Sequence, residues 1–124
     1  MASIKKAEGH QQVIPYLIVE GAAILIDFAK RVFDAEEIII VPAGEKIRHA
    51  QVKIGDSAIM LSDATEDYPK TEAHLFIYVA NADETYLEAI NEGALSVMEP
   101  VTQPYGRSAG IKDPMGNTWW ITSL

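Results

Sequence analysis

Three histidines, two adjacent tryptophans and a Tyr-Gly-Arg triplet are the residues whose types and spacing could do chemistry: His10, His49, His74, Trp119-Trp120 and Tyr105 to Arg107. An imidazole ligates metals and carries protons near neutral pH. An indole offers a stacking wall, and an arginine beside aromatic rings can clamp a carboxylate or a planar anion. The chain has no cysteine. Thiolate nucleophiles, disulfides and cysteine-based zinc or iron–sulfur sites are therefore excluded, and a metal would have to be held by His, Asp and Glu. Gly-rich phosphate loops, GxSxG elbows and HExxH helices are all missing. Two polar positions read as structural. His10 sits in a polar N-terminal stretch and reads as solvated, and Asp113 opens the turn sequence DPMGN, where its carboxylate suits turn hydrogen bonds.

The elements that must position these residues follow from period. Val13 to Val19 (VIPYLIV) is a short β-branched and aromatic run, read as a strand that Glu20-Gly21 ends. From Ala22 to Phe33 apolar residues recur at spacings of three and four, the pattern of an amphipathic helix. Strands are expected at Glu37 to Val41, stopped by Pro42, at His49 to Ile54, and at Ser57 to Leu61. Residues 64 to 73 are polar with one proline and read as a connection. The pattern then restarts: a strand at His74 to Val79, a helix at Asp83 to Glu92 that Gly93 ends, a strand at Leu95 to Met98 stopped by Pro100, and a hairpin of Arg107 to Lys112 with Thr118 to Thr122. Val19 and Val79 close the first strand of each half, and the Gly-Asp-Ser at 55–57 matches the Gly-Asn-Thr at 116–118. The chain thus reads as one domain, 1–124, built from a βαβββ repeat at about 12–63 and another at about 74–122.

Alternation within strands groups the candidates. His74, Phe76 and Tyr78 share one face, His49, Gln51 and Lys53 share another, and Trp119 and Trp120 point opposite ways. Composition bounds the partners. With 48% hydrophobic and 23% charged residues the chain is ordinary globular protein. Ten basic against eighteen acidic residues give a net charge of −8, which repels nucleic acid and anionic membranes. The first thirty residues lack an uninterrupted signal-peptide core, and no apolar window approaches the roughly 20 residues of a membrane span. The expectation is a cytoplasmic protein with no nucleic-acid or membrane partner.

The ordered set VIPYLIV, AAILIDFAKRVFDAEE, HAQVKIGDSAIMLSD, HLFIYVANADETYLEAINEGA and GIKDPMGNTWWIT covers about residues 12 to 122. It resembles the glyoxalase / bleomycin-resistance / extradiol dioxygenase superfamily, the vicinal oxygen chelate proteins, and its local wording is similar to the PhnB-like branch. The resemblance implies an α+β fold in which tandem βαβββ units form one curved eight-stranded mixed sheet with two helices on the outer face and a cleft on the concave one. It also implies a homodimer. In metal-dependent members four ligands come from the first and last strands of the two units, leaving open positions on a divalent ion that could polarise a substrate.

Carried onto this sequence, the ligand positions fall on His74, Ile14, Trp120 and either Ile59 or Met60. Only His74 can coordinate a hard divalent ion in the expected way. The resemblance places Trp120 in the cleft, where an indole replaces a carboxylate. The expected site residues are Tyr16, His49, His74, Phe76, Tyr78, Tyr105, Arg107 and Trp120, with no metal site and no cofactor. The expected function is small-molecule binding, with an aromatic or planar ligand sequestered as in the bleomycin-resistance members, and this reading leans away from enzymatic activity. The alternatives are a metal-dependent lyase, isomerase or dioxygenase in which His49 or Asp63 joins His74 around a divalent metal, and a structural or regulatory dimer.

Overall fold

Two changes of hydrophobic period in each half set the order of elements. The computed structural model describes residues 2–124. Its first half runs β1 (Tyr16–Val19), α1 (Ala22–Phe33), β2 (Glu36–Ala43), β3 (Lys46–Ile54) and β4 (Ser57–Asp63). The second runs β5 (His74–Tyr78), α2 (Ala82–Asn91), β6 (Leu95–Gln103), β7 (Gly106–Lys112) and β8 (Thr118–Ser123). Both halves are βαβββ units with matching strand orders, β1-β4-β3-β2 and β5-β8-β7-β6. In each, the first and last strands pair in parallel and the other neighbours pair antiparallel.

Pro15 shortens the first strand. In a parallel ladder a residue donates to one side of its partner and accepts from the other. The Pro15 carbonyl accepts from Met60 N at 3.0 Å, but proline has no N–H to give to the Ala58 carbonyl. The side-chain amide of Gln11 takes over that place: Nε2 donates to Ala58 O at 2.7 Å and Oε1 accepts from Ala58 N at 3.1 Å. The regular strand therefore begins at Tyr16 and not at Val13. Pro42 and Pro100 act differently from expectation, since β2 and β6 run through them. Both are outer-edge strands, where a missing donor is tolerated, and register shifts at Val41/Pro42 and between Met98 and Val101 absorb the prolines.

The helices bury the faces their spacing defines. In α1, Leu25, Ile26, Ala29, Val32 and Phe33 are buried, while Asp27, Lys30 and Arg31 stay outside. Gly21 supplies no side-chain cap; instead the carboxylate of Asp63, at the end of β4, accepts from Gly21 N at 2.9 Å and Ala22 N at 2.8 Å. An anion at the positive end of the helix also favours its dipole. In α2, Asn81 caps through Glu84 N at 3.1 Å, and Gly93 follows the helix with φ near 101°.

The expected single eight-stranded sheet is two separate four-stranded sheets. β5 pairs only with β8, and the outer side of β1 is partly taken by the connection between units, where Thr71 N donates to Ile18 O at 3.1 Å. The units meet instead through their helix layers. Phe33 of α1 packs on Trp119 of β8 with ring centroids 4.7 Å apart, and Arg31 reaches Glu92 at 3.4 Å. One buried cluster runs through both units. Each helix covers the face of its own sheet opposite the open one and keeps an exposed side of its own, with Asp27, Lys30 and Arg31 outside on α1 and Glu84, Leu87 and Glu88 outside on α2. Among the described residues no helix is long and apolar enough to cross a membrane.

Candidate functional site

The open face of the second sheet is aromatic. On β8 the two tryptophans part as alternation requires. Trp119 is buried against α1 and donates from Nε1 to Asp113 Oδ2 at 2.7 Å. Asp113 also accepts from Met115 N and Asn117 N through Oδ1, so its carboxylate is spent on the turn. Trp120 lies on the opposite face, half-buried, and donates from Nε1 to His74 Nδ1 at 3.3 Å, with the two ring planes 24° apart. An accepting Nδ1 leaves the His74 proton on Nε2.

Trp120 lies flat because its neighbour is a glycine. Gly110 of β7 is its cross-strand partner, and a Cβ built there would sit 2.8 Å from the indole. Phe76 is the partner of Trp120 on the other side. Tyr78 meets Phe76 edge-on at 5.2 Å between centroids, and Tyr105 lies 6.5 Å from Phe76. All three of these rings are about half exposed or more.

The open face of the first sheet is smaller and more polar. Tyr16 Oη and His49 Nδ1 share a hydrogen bond at 3.0 Å, and His10 Nε2 lies 2.8 Å from Gln51 Nε2. His10 is therefore packed on the sheet, against the expectation of a solvated residue. Met60 pairs with Tyr16 as Trp120 pairs with Phe76, so Met60, not Ile59, is the first unit's counterpart of Trp120. Between the Tyr16/His49 pair and the His74/Trp120 group the described residues make no hydrogen bond or ring contact. The candidates thus form two clusters on two sheets. A groove of about 1010 Å³ runs between the units, with Gln11, Val13 and Pro15 on one wall and Phe76, Tyr78 and Asn81 on the other.

Residues 11–121 match the model of the Glyoxalase/Bleomycin resistance protein/Dioxygenase superfamily. The chain belongs to that superfamily. It is 31% identical over 121 residues to "Uncharacterized protein Mb0911c" of Mycobacterium bovis, covering 85% of this chain and 78% of the relative. Protein PA1353 from Pseudomonas aeruginosa superposes with a TM-score of 0.77 at 22% identity, over 91% of this chain and 97% of that one. A PhnB protein from Bacillus cereus gives a TM-score of 0.68 at 16% identity, over 92% of this chain and 100% of that one. Both structural likenesses concern the fold.

A divalent ion of the kind metal-dependent superfamily members hold does not fit the residues present. The four corresponding positions are Ile14, Met60, His74 and Trp120, and the Trp120 indole presents an N–H where a ligand must present a lone pair. The two substitutes are committed elsewhere. His49 is bonded to Tyr16 on the other sheet, and Asp63 accepts three backbone N–H groups, the third from Ile47 at 2.7 Å. Burial of the Asp63 carboxyl works to raise its pKa, but the amides of Ile47, Ala22 and Gly21, with the Lys46 charge, outweigh it and hold the pKa below the ordinary range. Among the described residues no three His, Asp or Glu side chains are grouped to hold a metal.

Arg107 is also engaged. On β7 it pairs with Ser123 and points to the helix side, where Nε and Nη2 grip both oxygens of Asp83 at 3.1 and 3.0 Å. This fork lowers the Asp83 pKa and raises that of Arg107, chiefly through the shared hydrogen bonds. The guanidinium is thus apart from the aromatic face. Sequence reasoning missed Gln11 and Gly110. The first had a signal, a proline inside a strand that orphans one carbonyl; the second had none until its cross-strand partner was known.

Proposed function

We propose that this superfamily member is a small-molecule binding protein of the PhnB-like branch, holding an aromatic or planar ligand against Trp120 without a metal ion or catalytic turnover. The observation that carries the reading is the Trp120–Gly110 pair: the indole is laid over the β7 backbone, beside an open row of Phe76, Tyr78 and Tyr105. Offset stacking of a ligand ring on such a wall contributes about 0.5–1.5 kcal/mol beyond area burial. The net charge of −8 favours neutral or cationic ligands over anionic ones.

A second copy of the chain is the proposed partner. The equivalent outer strands β2 and β6 leave Ile38, Ile39 and Ile40, and Leu95, Val97 and Val101, exposed to water. Exposed apolar residues gathered on an edge strand suit an interface. A homodimer would bury them.

The test is fluorescence. In Trp119→Phe, Trp120 is the sole indole, and a panel of neutral and cationic planar aromatics, including 9-aminoacridine, is titrated against it. Saturable quenching in Trp119→Phe, with an affinity by calorimetry that Trp120→Phe weakens by about tenfold or less, as 1.4 kcal/mol allows, supports the reading. Binding that survives Trp120→Ala unchanged, or no quenching across the panel, overturns it.

A further inference from the structure

The segment ahead of β1 is held by side chains and not by a strand ladder. Among the described residues, the hydrogen bonds of residues 8–14 are the pair that the Gln11 carboxamide exchanges with the Ala58 N–H and carbonyl, the contact of His10 with Gln51, and one turn bond from His10 N to Ala7 O. Its apolar anchorage is small: Val13 is 81% exposed, and Ile14, though half-buried, is not part of the buried cluster. It nevertheless covers something. Antiparallel register puts Gln51 beside Met60 and Lys53 beside Ala58, and parallel register puts Met60 beside Tyr16, so all five share the open face of the first sheet. Tyr16 on that face is 47% exposed, whereas Gln51 is 7% and Ala58 1% exposed. The closed patch is where His10 and Gln11 dock.

We infer that residues 8–14 form a displaceable strap, closing the first unit's half of the binding region and opening without unfolding either sheet. The inference rests on the ligand-binding reading for its purpose, though not for its test. Few buried apolar contacts and a handful of exchangeable hydrogen bonds place such a segment at the low-stability end of a fold. Pro15 makes the opening local. Because it cannot donate to Ala58 O, the ladder stops there, and release of Gln11 leaves the bonds from Met60 onward in place. Gln11 and Val13 of the strap line the inter-unit groove, which Phe76 and Tyr78 also line. Its departure removes these two strap residues from the groove lining and widens it, and ligand binding to the widened form would shift the population towards it.

The absence of cysteine makes a clean readout available. Ala58→Cys places a unique thiol under the strap, and its reaction with a disulfide reagent is measured with and without Gln11→Ala. In parallel, amide exchange at Ala58, Val52 and Ile121 is followed in the cysteine-free protein and in Gln11→Ala, which carries the test if the cysteine variant does not fold. Removing the carboxamide is expected to speed both thiol reaction and Ala58 exchange by about tenfold or more. In the wild type Ala58 should already exchange about tenfold or more faster than Val52 and Ile121, and Gln11→Ala should lower the melting temperature by only several degrees, as a shift of about tenfold requires. A thiol that already reacts as a free one, Ala58 exchange that Gln11→Ala leaves unaltered, or wild-type Ala58 exchange as slow as that of Val52 and Ile121 overturns the inference. No ligand is involved, so this outcome is separate from whether an aromatic compound binds.

Discussion

A methyl group on Gly110 would stand 2.8 Å from Cζ3 and 3.0 Å from Cε3 of Trp120. The indole therefore occupies the volume a side chain would have taken on the neighbouring strand, and the two positions are coupled. Gly110→Ala is expected to destabilise the protein by about 1–3 kcal/mol through overpacking. In a Trp120→Ala background the same change should cost less than about 0.5 kcal/mol, because the clash partner is gone. Urea unfolding of the four proteins measures the cycle. Equal costs in both backgrounds would show that the indole does not rest on β7.

Asp63 joins β4 to the start of α1 and to β3 through three accepted N–H groups. Asp63→Asn keeps the shape but loses the charge and one acceptor, and is expected to cost about 1–3 kcal/mol at neutral pH. The sign of the pH dependence follows from the lowered pKa. A carboxylate with a depressed folded pKa contributes stability above the ordinary carboxylate range and loses it as pH falls through the folded value. The gap between wild type and variant should therefore be widest near pH 7 and narrow below the ordinary carboxylate range. Denaturant melts at several pH values measure it, and a gap independent of pH would contradict the assignment.

The units, their order and the helix faces were legible in the sequence because period and punctuation are local. α1 runs from Ala22 to Phe33 as its spacing predicts, and the alternation of Trp119 and Trp120 needs only the pleat. What the sequence did not carry is how two similar units sit together. That depends on Phe33 meeting Trp119 across the seam and on Thr71 occupying the edge of β1, contacts between residues far apart in the chain. Among the candidates, the side of the sheet decided Arg107, which faces Asp83 and not the aromatic rings. His10 reads as solvated from the sequence because its neighbour Gln51 is reached only through the first sheet.

The homodimer proposed above would bury β2 and β6, and self-association is the solution state it predicts. Sedimentation velocity at micromolar concentration should give twice the 13.6 kDa of one chain. Ile40→Glu with Val97→Glu places charges on the exposed apolar rows and should return the protein to single chains with its circular dichroism unchanged. A wild-type protein that sediments as one chain at every concentration contradicts the homodimer.

The central claim, ligand binding on an aromatic face without metal, is tested most directly by thermal shift. Aromatic antibiotics and other planar aromatics are compared with glutathione conjugates and small α-keto acids, each in the presence of chelator and again with nickel, zinc, manganese or iron. A ligand that binds only the folded chain raises its melting temperature by mass action. The expected result is stabilisation by planar aromatics that chelator leaves intact and Trp120→Ala abolishes. Stabilisation by glutathione conjugates or α-keto acids that requires the divalent metal, and is lost in His74→Ala, would contradict the account.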